Sequence, residues 1–160
     1  MNANDIIKYG HHHVLEAIKE IGDEEWQQIG VTTKWSIKDV IAHLASYEHF
    51  LEDVLNFVLK SGVPTPYLDE MNSNPGGFND KEVEKRKNMS AQEVMREYTD
   101  TQKLVADVIK NTAPDLLRQV GTIPWYGIEY SLDDFIVYAN YGHKQEHIGQ
   151  IKRFIKQKSK

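Results

Sequence analysis

The sequence predicts an all-α protein, a four-helix bundle with one long crossover between its second and third helices. Three observations carry that expectation. Ser36–Asp39, Ser90–Glu93 and Ser131–Asp134 are Ser-x-x-acid segments, each followed by apolar residues at helical spacing. The stretch between the helices begun at Ser36 and Ser90, the second and third of the bundle, holds Pro64, Pro66, Pro75, Gly76 and Gly77, and is long enough to travel along a bundle. Strand-like composition is confined to one segment around Trp125.

The first helix spans about Asn4 to Ile21, with Ile7, Val14, Ile18 and Ile21 on one stripe and Gly22 beyond its end. Ser36 opens the second: its hydroxyl can accept an orphan backbone N–H while Asp39 reaches back to the cap. This helix runs from about Ile37 to Lys60, stopped by Gly62 and Pro64, on a stripe of Val40, His43, Tyr47, Phe50, Leu51, Val54 and Phe57. The link from Ser61 to about Asn79 reads as a crossover loop of the kind that serves as a lid or stays mobile. Asn79 to Arg86 extends the third helix or forms a short one of its own. The third helix runs from about Ala91 to Asn111, before Pro114. Thr122 to Tyr130 is β-prone and aromatic, but Pro124 and Gly127 interrupt it. An extended segment or a short hairpin covering one end of the bundle is expected there. The fourth helix runs from about Leu132 to Lys156. With no repeat and no linker, residues 1–160 are expected to form a single domain.

The chain has no cysteine, which excludes disulfides, thiolate ligands and a cysteine nucleophile of its own. It shows no apolar run long enough to span a bilayer and no export signal, so no membrane partner and a cytoplasmic location are expected. The net charge of −5 argues against a nucleic-acid partner, because phosphate binding draws its affinity from a basic face. The one basic cluster, Lys152, Arg153, Lys156, Lys158 and Lys160, sits at a helix C-terminus, where the dipole favours cations anyway.

Chemistry points to His143 and His147. Four residues apart, they share one helix face, on the stripe of Ile136, Ala139 and Phe154. A bundle builds metal sites from side chains that facing helices project inward, and the second helix offers His43 among hydrophobes. His43, His143 and His147 together make three neutral nitrogen donors, leaving an open coordination position. Such a set suits a divalent transition metal, Zn or Ni first, and argues against Mg or Ca. His143-Lys144-Gln145-Glu146-His147 also matches the inverse zinc-protease pattern, but no acidic residue follows His147 to serve as the third ligand.

Other polar groups fall near these three. Asn140 and Gln150 share the stripe and could orient an imidazole or hold a bound cofactor. Tyr47, one turn after His43, could donate to a bound ligand, and Glu146 at the stripe's edge could act as a base. Asp69 and Glu70 in the crossover are alternative carboxylates. His49 falls about 120° away from His43, at the stripe's edge. His11, His12 and His13 are consecutive and cannot converge on one ion; only His11 falls near a buried stripe.

Trp35-Ser36-Ile37-Lys38-Asp39-Val40-Ile41-Ala42-His43-Leu44 and His143-x-x-Glu146-His147-Ile148-Gly149-Gln150-Ile151 resemble the two signature segments of the DinB/YfiT-like family of four-helix-bundle metalloproteins. The resemblance covers nearly the whole chain. It implies a divalent metal held by one histidine of helix two and a His-x-x-x-His pair of helix four, here His43, His143 and His147. Activities in the family include transfer of low-molecular-weight thiols such as bacillithiol, mycothiol-dependent isomerisation and hydrolysis. The leading expectation is therefore a metal-dependent thiol S-transferase acting on a small-molecule electrophile, which would sit near Tyr47, Trp125 and Tyr126. A metal-dependent hydrolase and a non-catalytic metal- or ligand-binding protein are the alternatives. The resemblance also implies a homodimer.

Overall fold

The computed structural model describes residues 2–159, which hold helices and turns and, among the described residues, no strand. In chain order the helices are α1 (Ala3–Ile18), α2 (Asp23–Trp26), α3 (Ile37–Leu59), α4 (Pro66–Ser73), α5 (Phe78–Lys85), α6 (Ala91–Lys110) and α7 (Pro114–Arg118). The last span is α8 (Leu132–Phe135), a π-helical segment (Ile136–Gly142) and α9 (His143–Lys158), continuous with one another. Four long spans, α1, α3, α6 and α8–π–α9, build the bundle. α3 packs along α6 and against the last span, and α1 closes the square on α6 and α9.

The three serine caps form as their spacing requires. Ser36, Ser90 and Ser131 each accept from the backbone N–H three residues on, and Asp39, Glu93 and Asp134 accept in return from the cap's own N–H. Two apolar clusters fill the bundle. One gathers Ile7, Leu51, Leu55, Ile109, Leu132 and Phe135; the other gathers Val14, Ile37, Ile41, Leu44, Val94 and Ile151. Between them α3 carries a buried polar layer of His43, Ser46 and Glu48, faced by Asn140, Lys144 and His147.

Several expectations are corrected. The crossover is not a structureless loop: α4 and α5 lie against α3. Asp53 of α3 accepts from the backbone N–H of Tyr67 (2.6 Å) and Leu68 (3.1 Å), so the start of α4 is capped from another helix. Arg86, buried just after α5, binds Glu82 and Glu97, while Lys38 of α3 donates to the carbonyls of Lys87 and Met89. Such long-range partners leave no local sequence signal.

Thr122 to Tyr130 is neither extended nor a hairpin. Its neck is tied by Gly121 N–H to the Tyr130 carbonyl at 3.2 Å, and Ile123 O accepts from Tyr126 and Gly127. Gly127 sits at φ 149°, and a Cβ there would lie 2.6 Å from the Tyr130 ring, so the turn requires glycine. The last helix is likewise not uniformly α, being π-helical just before His143. At the end of α3 the buried stripe passes to Leu51 and Leu55, and Phe57 is 47% exposed.

Candidate metal centre

His43 reaches the bundle interior from the second turn of α3. His143 and His147 project from the first two turns of α9, directly after the π segment. The three Nε2 atoms converge: His43 to His143 is 2.8 Å and His143 to His147 is 3.0 Å. The rings meet edge-on at 4.6–4.8 Å between centroids. A tetrahedral ion with bonds of about 2.0–2.1 Å would hold its nitrogens about 3.3 Å apart, slightly wider than these two separations, and the candidate ligand atoms of all three residues lie within 4.8 Å of one another.

Electrostatics prepares the donors. Burial, reinforced by the neighbouring imidazoles, pushes His43 down to about 2. Burial, with His147 and Lys144 beside it, pushes His143 down to about 3. His147 is lowered by burial against the opposing hydrogen bond to Gln150. All three rings are therefore neutral at physiological pH, the form that binds a metal. Gln150 Oε1 stands 2.8 Å from Nδ1 of His147, which places that ring's proton on Nδ1 and a lone pair on Nε2. The donor set fits a divalent transition metal: three imidazoles, no carboxylate among them, and no other group of three candidate ligands among the described residues.

The other residues divide. Tyr47 packs its ring on His143 at 4.2 Å and on His43 at 4.7 Å, and its hydroxyl donates to Asn79 Oδ1 of α5 at 3.2 Å. Burial raises its pKa against that hydrogen bond. Asn140 turns away from the histidines and donates to buried Glu48. Glu146 is exposed. Trp125 packs on Phe50 and Phe135, and Tyr126 on Tyr130 and Phe135; neither ring packs on any of the three histidines. Asp69 accepts from Thr65 and Glu70 pairs with Lys81, both away from the centre. His49 stacks on Tyr67 and binds Glu97, and His11 lies against Tyr98.

Neither Asn79 nor Trp35 was expected as a site residue, although Trp35 opens the family-like segment that holds His43. The Trp35 ring packs on His43 at 4.9 Å, and Trp35 and Asn79 line a surface cavity of about 290 Å³ with Thr32, Lys34, Gly76 and Asp80. Lys34 and Asp80 pair at 2.7 Å on this cavity. A larger groove of about 470 Å³, beside Trp26 and Met95, involves none of the histidines.

Fold and site together define a helical-bundle protein with an inward histidine triad. The DinB superfamily model matches residues 7–151, and the chain belongs to that superfamily. Solved structures share the fold. The colibactin self-resistance protein ClbS, in complex with a dsDNA, aligns with TM-score 0.76 and 10% identity, over 94% of this chain and 91% of that one. A protein from Streptococcus pneumoniae aligns with TM-score 0.76 and 12% identity, over 98% and 91%. An uncharacterised protein from Escherichia coli UTI89 aligns with TM-score 0.75 and 14% identity, over 96% and 91%. No curated protein sequence matches the chain.

The ClbS complex corrects one expectation. A protein of this fold occurs with dsDNA, so excluding a nucleic-acid partner on net charge does not stand. Net charge sums the whole surface, whereas phosphate contacts are local. Here Lys152, Arg153, Lys156 and Lys158 are all exposed towards the end of α9, and no ion pair engages them among the described residues. Lys160 lies outside the described residues. No helix among the described residues is long and apolar enough to cross a membrane.

Proposed function

We propose that the protein is a metal-dependent enzyme that transfers a low-molecular-weight thiol, of bacillithiol type, onto a small electrophile. The convergence of three neutral Nε2 atoms carries this reading. His43, His143 and His147 would hold the metal, Zn or Ni, and Gln150 would orient His147. A divalent metal bound there supplies a Lewis acid that favours the thiolate over the thiol.

The donor set supplies no negative charge, and the nearest buried carboxylate, Glu48, is already paired with Lys144. The site therefore favours an anionic exogenous ligand. The chain has no thiol of its own, which fits a thiol nucleophile supplied by a cofactor. A thiolate needs no general base. Hydrolysis does, and Glu146 is exposed while Asp69 and Glu70 are engaged elsewhere. The electrophile would enter through the cavity walled by Trp35 and Asn79, with Tyr47 packed beneath it.

The test is turnover by metal-loaded protein, without a histidine tag, on a panel of thiols with 1-chloro-2,4-dinitrobenzene and monobromobimane. Thiol-dependent product that disappears in His43→Ala supports the reading. Turnover of ester or amide substrates without thiol would replace it with hydrolysis, and no turnover would leave a metal- or ligand-binding protein.

The dsDNA of the ClbS complex favours one second reading, a nucleic-acid contact on the exposed basic end of α9. Fluorescence anisotropy with a short duplex would show binding that weakens as salt rises and that Lys152→Glu/Lys156→Glu removes. Binding unchanged in that variant would place the contact elsewhere.

A further inference from the structure

Beside the histidines lies a second buried cluster that the proposed reaction does not use. Glu48 of α3 and Lys144 of α9 are both fully buried. Lys144 Nζ lies 2.5 Å from Glu48 Oε1, and Asn140 Nδ2, one helical turn earlier, donates to the same oxygen at 3.1 Å. The lysine stem threads past Gly10 of α1, where a Cβ would stand 3.4 Å from its Cδ, and its ammonium sits 5.6 Å from the centre of the Tyr98 ring.

An ion pair buried this deeply is a poor source of stability, because desolvation offsets most of the Coulomb attraction. A pair of apolar side chains would hold the helices together as well. What it would not supply is a directional contact. Asn140 belongs to the π segment and Lys144 to the first turn of α9, so the hydrogen bond and the ion pair to Glu48 bracket the point where the hydrogen-bond pattern changes. Across such a junction the angular register of the following helix depends on tertiary contacts more than on local propensity. A slip of one residue turns α9 by about 100°, which would carry His143 and His147 away from His43.

We propose that Glu48, gripped by Asn140 and Lys144, is a positioning residue that fixes the rotation of α9 so that His143 and His147 face His43. This rests on the metal-site reading above. Glu48 is not one of the three histidines that would hold the metal; it acts through Asn140 and Lys144 of the facing helix.

Co(II) tests the proposal, because its visible absorption reports both affinity and coordination geometry. The full-length chain would be titrated as wild type, His43→Ala, Glu48→Gln and the double variant Glu48→Met/Lys144→Met. Thermal unfolding would be followed in parallel. The double variant replaces the pair with apolar groups of similar length; it also takes the acceptor from the buried Asn140 amide, so it is expected to fold with a modestly lower melting temperature. It should bind Co(II) roughly 10–100-fold more weakly, with loss of the intense tetrahedral bands. Glu48→Gln keeps the size and an acceptor for Asn140 but leaves the buried Lys144 ammonium without its counter-charge and is expected to melt lower. Asn140→Leu, titrated alongside, keeps the ion pair and carries the test if the double variant does not fold, with a smaller loss of affinity expected. Wild-type affinity and spectrum in the folded variants would overturn the positioning role and leave the pair purely structural. Wild type binding Co(II) no better than His43→Ala would instead overturn the metal site itself, and the positioning role with it.

Discussion

Gln150 Oε1 lies 2.8 Å from Nδ1 of His147, three residues back on the same helix, and so decides which nitrogen of that ring faces His143. An amide oxygen can only accept, so the ring proton is held on Nδ1 and Nε2 is left free to bind. The Gly149-Gln150 pair after the second histidine is thus part of the site's geometry.

Gln150→Leu should therefore weaken metal binding roughly 10–100-fold, because the ring becomes free to change tautomer and tilt. Gln150→Glu keeps an acceptor and should retain affinity near that of wild type. Competition with a chromophoric chelator measures both. The fold should survive, since Gln150 is half-buried and makes no other hydrogen bond among the described residues.

Tyr47 joins the site to the crossover through its hydroxyl on Asn79, while its ring packs on His143. Tyr47→Phe keeps the ring and removes the link. Metal affinity should stay within about twofold, and stability should fall by about 1 kcal/mol, read from urea denaturation. Amide exchange in α5 should accelerate. A large loss of metal affinity instead would mean that the hydroxyl orders the histidines.

Acid should loosen the crossover first. Burial pushes the Glu97 carboxyl up, but hydrogen bonds from His49 and Arg86, with the guanidinium charge, hold it down at about 2. A carboxyl depressed on folding contributes stability that is present above its unfolded pKa of about 4.5. That contribution is lost as pH falls from about 4.5 through about 2. After allowance for solvent screening of a half-exposed group, it amounts to about 1–2 kcal/mol. Glu97→Gln should be less stable than wild type at neutral pH, with the difference shrinking through that window. Denaturation midpoints against pH measure it; a constant difference would assign Glu97 no linked role.

What the sequence made legible was local or periodic. The capping boxes at Ser36, Ser90 and Ser131 place three helix starts at Ile37, Ala91 and Leu132, as observed. The spacing of His143 and His147, with His43 on a second inward stripe, was enough to single out the three residues whose Nε2 atoms converge. What stayed hidden depends on partners far along the chain. Glu48 and Lys144 are charged, and a hydropathy pattern reads each as solvated; only their pairing across helices lets them be buried. Asn140 was legible as an inward amide, yet its partner is Glu48 and not an imidazole. The helices of the crossover rest on Asp53, Arg86 and Lys38 contacts, and Trp125 and Tyr126, half-buried, pack against the core where Gly127 turns the chain back. The net charge, a global sum, does not exclude a nucleic-acid partner, because binding surfaces are local.

If His43, His143 and His147 form one metal site, elemental analysis of protein purified without a histidine tag, beside His43→Ala and His147→Ala, will show it. About one equivalent of a transition metal, Zn or Ni, is expected in the wild-type protein, with that metal lost from both variants. A wild-type protein that carries no metal and takes up none on reconstitution would contradict it. So would metal retained in full by both variants.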